Sequence, residues 1–156
     1  MPYLEPEHVT REFSRFAIEE IRPAIDDDEQ FVEAQVGSMA STMRFLSGEL
    51  QGMPEAVDAQ HDAAREALAA AEDVLAEHEA TAAEEAVTEA RERVAAAEGR
   101  SREVESTLVE AVSDALEAVD DCDDEVARAA RDPLYGFLDT RVESQLRLLG
   151  RRSEGE

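Results

Sequence analysis

Asp58 and His61 stand three residues apart, an acid-x-x-His pair of the kind that metal-binding bundles use. A di-iron bundle needs two Glu-x-x-His motifs and further inward-facing carboxylates. The chain has three histidines, and the other two supply no second motif. Leu75 stands three before His78, and Glu5 stands three before His8 at the fraying start of a helix. Metal selection rests on a complete ligand set, so His61 reads as a solvated or seam-packed side chain. The acidic runs Asp26 to Glu29 and Asp120 to Glu125 lack the alternating oxygen ligands, central Gly and closing Glu of an EF-hand loop. They read as solvated helix termini.

Cys122 is the single cysteine, which excludes an internal disulfide and a Cys-based zinc site. Its neighbours Asp120, Asp121, Asp123 and Asp124 raise a thiol pKa and oppose a reactive thiolate. No G-x-S-x-G elbow, dinucleotide-binding glycine motif or P-loop occurs. Met39, Met43 and the phenylalanines could line a pocket for an acyl chain, although a Met-aromatic stripe at heptad spacing is ordinarily core. Arg44, Arg141, Arg147, Arg151 and Arg152 could clamp an anion, although on so acidic a chain they read as surface ion pairs. The sequence therefore points to no catalytic, cofactor-binding or metal-ligating residue set, and to no enzyme.

The 156 residues amount to one domain, with 39 acids against 15 bases and a net charge of -24. All the bases are Arg; Lys, Asn and Trp are absent. Clustered cations are what nucleic acids and anionic membranes require, so both are excluded as partners. No apolar run approaches the length of a membrane span, and no signal peptide is recognisable, so a cytoplasmic location is expected. Apolar residues make up 43% of the chain and are strongly periodic, which favours a folded protein over a disordered one. A carboxylate surface of this density suits concentrated salt, where the Debye length falls to about 3 Å. The source is expected to be halophilic or GC-rich.

The pattern predicts an all-α chain of five main helices. The first covers about Glu7 to Arg22 and ends or kinks at Pro23. The second covers Glu29 to Gly52, with Val32, Val36, Met39, Met43, Leu46 and Leu50 as an almost strict heptad seam. The third starts at Pro54 and runs to Glu79, with rows Val57/Ala64/Ala71 and His61/Leu68/Leu75. A capping box at Thr81 to Glu84 marks a reversal. The fourth is expected to be continuous from Ala82 to Val119, because Val87, Val94, Ser101, Leu108 and Ala115 keep one register through Gly99. The competing reading breaks it at Gly99 and recaps at Ser101. The fifth starts at Asp132-Pro133 and ends at Gly150, leaving 151–156 as a flexible tail.

The seven aromatics fall at 3, 13, 16, 31, 45, 135 and 137, while 17 alanines lie between Ala56 and Ala97. Large side chains carry most buried area. The expected architecture is therefore an aromatic-cored helical bundle from 1–52 plus 108–150, bearing an Ala-rich antiparallel coiled-coil hairpin at 53–107. Residues 133–156 have zero net charge, unlike every other segment. The expected partner is a second copy or another protein, engaged through the hairpin or the last helix.

Two segments carry a resemblance. Glu12-Phe13, Ile21-Arg22-Pro23-Ala24-Ile25, Phe31 and Val36-Gly37-Ser38-Met39-Ala40-Ser41 form one; Asp132-Pro133-Leu134-Tyr135-Gly136-Phe137-Leu138 to Leu146 form the other. Together, over roughly 8–50 and 125–148, they resemble a small all-helical domain family of unknown function. Its members are encoded beside acyl-CoA dehydrogenases and aminoglycoside-phosphotransferase-like kinases. Gln35 stands where that family has an Arg, and the Ala-rich middle looks like an insertion or replacement. The resemblance implies an accessory module linked to acyl-CoA metabolism and supplies no catalytic residue.

Moving the protein from molar to millimolar KCl removes screening and is expected to melt helical structure, read by circular dichroism. An unchanged spectrum would refute the high-salt reading.

Overall fold

A computed structural model describes residues 4–149. Among them the protein is an all-α helical bundle without strands. Its helices are α1 (Pro6–Phe16), α2 (Gln30–Glu77), α3 (Thr81–Ala96), α4 (Arg102–Asp120) and α5 (Asp124–Leu148). A π-helical turn, Ala17–Ile21, and a 3₁₀ turn, Arg22–Ala24, carry the chain away from α1. Pro23, which has no N–H to donate, sits in the second of these turns.

The chain forms two compact units, Met53–Leu146 and Met1–Gly52 with Arg147–Glu156. The boundary falls inside α2, one residue before Pro54.

The 53–146 unit is an up-and-down arrangement of four helical segments. Antiparallel neighbours are joined by Glu72 with Thr88 and Arg91, by Arg93 with Asp114, and by Arg131 with Asp120. Each helix turns an aliphatic row inward. Val57, Ala64, Leu68, Ala71 and Leu75 of α2 meet Val87, Ala90 and Val94 of α3, Leu108, Ala111, Val112, Ala115 and Val119 of α4, and Ala130, Leu134 and Phe137 of α5 in a core with almost no solvent access. Alanine at alternate positions lets the helices approach closely, so Val and Leu complete the layers.

The other unit has a different construction. α1 lies against the first half of α2 through small residues: Ser14 Oγ donates to the Ala40 carbonyl at 2.7 Å, and Ser47 Oγ donates to the Glu7 carbonyl at 2.7 Å. Ala17 and Ala40 are buried beside them. A Cβ at Gly52 would fall 2.6 Å from Leu148 Cδ2, so glycine admits that side chain.

This arrangement corrects the expected aromatic-cored bundle. Phe13, Phe16, Phe31, Phe45 and Tyr135 are exposed, and Phe137 alone among the described aromatics is fully buried. Residues 108–146 belong with 53–107 in one compact unit, so the middle of the chain is not a hairpin appended to a thicker core. Two helices in contact have no interior for a phenyl ring, whereas four do. Tyr3 and the tail 151–156 lie outside the described residues.

Three helix boundaries also differ from the sequence reading. α2 continues through Pro54, and α5 begins eight residues before its expected start and continues through Pro133. An internal proline forfeits one backbone bond and costs about 3 kcal/mol. Burial on both sides offsets this: Ala127, Ala130, Leu134 and Phe137 keep one phase across Pro133. The helix expected from 82 to 119 is two helices. Ala97 is extended, Gly99 adopts φ +106, and Ser101 Oγ accepts from the Val104 N–H at 3.4 Å to start α4. The register through Gly99 is kept because both helices face the same core, not because the backbone is continuous.

The capping box at Thr81 does not form; α3 has no side-chain N-cap bond. The reversal is made at the end of α2. Ala80 N–H donates to the Leu75 carbonyl at 3.0 Å and Glu79 N–H to that of Ala76 at 3.2 Å, with Glu79 at φ 55. This is a Schellman closure with glutamate where glycine is usual. A non-glycine residue there bears about 1–2 kcal/mol of strain. Glu79→Gly is expected to raise the thermal midpoint in molar salt by about 2 °C. An unchanged or lower midpoint would show that Glu79 is not strained.

Candidate functional site

Asp58 and His61 are employed in closing the α3–α4 turn. Asp58 receives Arg100 through two oxygens, Nε to Oδ1 at 2.9 Å and Nη2 to Oδ2 at 2.9 Å. His61 Nε2 lies 3.0 Å from the Val94 carbonyl, in the last turn of α3. The acid-x-x-His spacing places both side chains on one face of α2, and that face meets a turn whose backbone and arginine need partners. His78, one residue past α2, contacts the carbonyl of Val74 in the last turn of that helix through Nδ1. Among the described residues, no group of three His, Cys, Asp or Glu side chains is placed to hold a metal ion.

The most enclosed polar constellation is one that the sequence reading passed over. Glu105 of α4 is only 3% exposed. Its Oε1 accepts from Gln60 Nε2 of α2 at 3.0 Å and also from Gln145 Nε2 of α5, while its Oε2 lies 3.5 Å from Arg102 Nη1. Gln60 is fully buried, and its Oε1 has no hydrogen-bond partner among the protein groups. The missed signal is positional. Glu105 heads the row Val112 and Val119, spaced by seven, and Gln60 lies in the row Met53 and Ala67. A polar residue inside an apolar row signals a buried hydrogen bond. These groups bind helices together; no nucleophile stands among them.

The open clefts are surface features. One of about 770 Å³ lies along α2 and α3, lined by Asp62, Arg65, Glu66, Thr88, Arg91 and Glu92, and its Arg91 is paired with Glu72. A second, of about 580 Å³, runs along α1 and is lined by His8, Val9, Phe13 and Phe16 among flanking charges. Met39 is exposed and Met43 half-buried, and Phe13, Phe16, Phe31 and Phe45 are exposed, so they form outer surface instead of an enclosed acyl pocket. Of the arginines considered for an anion clamp, Arg44 and Arg147 belong to one unit and Arg141 to the other. Arg151 and Arg152 lie outside the described residues.

No helix among the described residues is long and apolar enough to cross a membrane. The chain matches no protein-family profile, and no curated protein or solved structure is significantly similar to it.

Cys122 caps the end of α4, with Sγ 3.9 Å from the Ala118 carbonyl. Burial first, then the charges of Asp121 and Asp123, push the thiol above its ordinary pKa of 9.0. Less thiolate is present at any given pH. Alkylation by iodoacetamide at pH 8 is therefore expected to be slower than for a free thiol peptide, and still rising with pH above 9. A rate equal to the peptide's would contradict the assignment.

Proposed function

We propose that the protein is a non-enzymatic helical accessory module that works by protein–protein contact, self-association included. The observation that carries this reading is the set of large apolar side chains held on the outside of the 1–52 segment. Phe31 is 77% exposed, Phe13 55% and Phe16 52%. Exposed apolar area of this kind, rich in aromatics and methionine, is the composition of an interface. The polar side chains that could do chemistry support the same reading, because buried Gln60 and Glu105, half-buried His61 and Gln145 and exposed Asp58 are engaged in joining helices and turns. The family resemblance at both ends of the chain adds a context, a cytoplasmic accessory role beside acyl-CoA metabolism in a salt-rich cell.

A small-ligand bundle is the second reading, favoured by the apolar groove along α1 at Phe13 and Phe16. Native mass spectrometry of the purified full chain separates the two. Complexes containing polypeptide alone are expected. A monomer carrying a stoichiometric metal or organic molecule would overturn the interaction reading in favour of the ligand bundle.

A further inference from the structure

We propose that the outer face of α2 between Phe31 and Leu50 binds the same face of a second copy of this chain, giving a twofold homodimer. The inference rests on the interaction reading above and names its surface and its partner.

The first observation is periodic exposure. Val32, Met39 and Leu46 are spaced by seven and are 43%, 41% and 42% exposed. Phe31 and Phe45, two heptads apart, lie on the adjoining row and are exposed as well. α1 meets α2 at Ala40 and Ser47, and leaves this row uncovered. Rows repeating every seven residues are what a second helix packs into, knobs into holes.

The second observation is charge. One residue in four is acidic over the whole chain, yet from Ala34 to Gly48 there is no acid, and Arg44 is the single charged side chain. Two copies each bearing -24 repel wherever their carboxylates face one another. This stretch is where that repulsion is absent. A basic partner would be drawn to the acidic surfaces and would find no counter-charge here. An uncharged, heptad-spaced face can pack against another of the same kind without opposing carboxylates, and a twofold axis brings the same patch of each copy together, as in a homodimer.

Apolar contact between like-charged molecules carries a salt signature. Screening weakens the repulsion while leaving the apolar attraction in place, so association strengthens as salt rises.

Sedimentation equilibrium of the full chain in molar KCl tests this, with circular dichroism as the control for folding. The wild type is expected to dimerise more tightly as KCl rises. Met39→Glu with Leu46→Glu, both at exposed positions, is expected to weaken the dimer at least tenfold at unchanged helicity. Thr42→Glu on the same face removes no buried atom and keeps the test decisive should the double variant lose helicity. Val142→Glu on α5 is expected to leave the dimer intact. A wild type that stays monomeric at all salt concentrations overturns the inference, as does a dimer broken by Val142→Glu and untouched by the α2 variants. In the latter case, or if a different protein occupies the α2 face, the interaction reading survives while the homodimer does not.

Discussion

A large side chain is enclosed only where several helices converge on it, because one helix shields another along a single stripe. This constraint sorts the residues of the protein. Where four helical segments meet, modest side chains suffice. Leu68, Val87, Val94 and Leu108 lose all solvent contact although alanines make up much of the surrounding wall. Where two helices meet, even phenylalanine stays outside, and the contact is made by Ser14, Ala17, Ala40 and Ser47. Residue size alone does not say where the core is; the number of neighbouring helices does.

Glu105 shows how the four-helix unit fixes its alignment. Apolar rows of Ala and Val repeat every seven residues and would tolerate a shift of one helix along another by two turns. A carboxylate that accepts from Gln60 and Gln145 tolerates no such shift, since sliding either helix leaves a buried charge without its donors. The Asp58–Arg100 pair and the His61–Val94 contact do the same for the turn between α3 and α4. Most of the other ion pairs are exposed and individually weak, about 1 kcal/mol or less each. Alignment therefore rests on a few polar contacts that aliphatic packing alone would leave undetermined.

These physical facts explain what the sequence made legible. The row Val57/Ala64/Ala71, Val87 with Val94, and Leu68 with Leu75 of the row that half-buried His61 begins are enclosed because four helical segments meet there, whereas the equally regular row Val32/Met39/Leu46, expected as a seam, is exposed. The direction of the Cys122 shift was legible because its acidic neighbours are adjacent in the chain, but its larger cause, burial, was not. The turn at Gly99 was obscured: a five-residue connection that happens to preserve phase cannot be told from a continuous helix by phase alone. The prolines misled in the opposite direction. Pro54 and Pro133 read as helix starts by local rule, yet each lies inside a helix, and across Pro133 the buried Ala127, Ala130, Leu134 and Phe137 keep one phase. Placing the aromatics inside failed because exposure is a property of assembled neighbours, and local spacing does not encode how many there are.

The two halves of α2 bring charge and packing together. After Pro54, the outer positions include Glu55, Asp58, Asp62, Glu66, Asp73 and Glu77, with Arg65, Ala70 and Ala76 among them, while the inner ones apart from Gln60 are apolar. A helix that meets water on one side and three helices on the other needs that division, and carboxylates are this chain's habitual solvent-facing residues. Before Gly48, the outer positions include Phe31, Gln35, Met39, Thr42 and Phe45, and no acid occurs back to Glu33. Had that half met only water, the same carboxylate pattern would have served it at no loss of packing, since α1 touches the opposite stripe. The acid-free stretch of α2 therefore includes a surface that α1 does not cover. The proposed contact with a second copy would account for both its apolarity and its lack of charge.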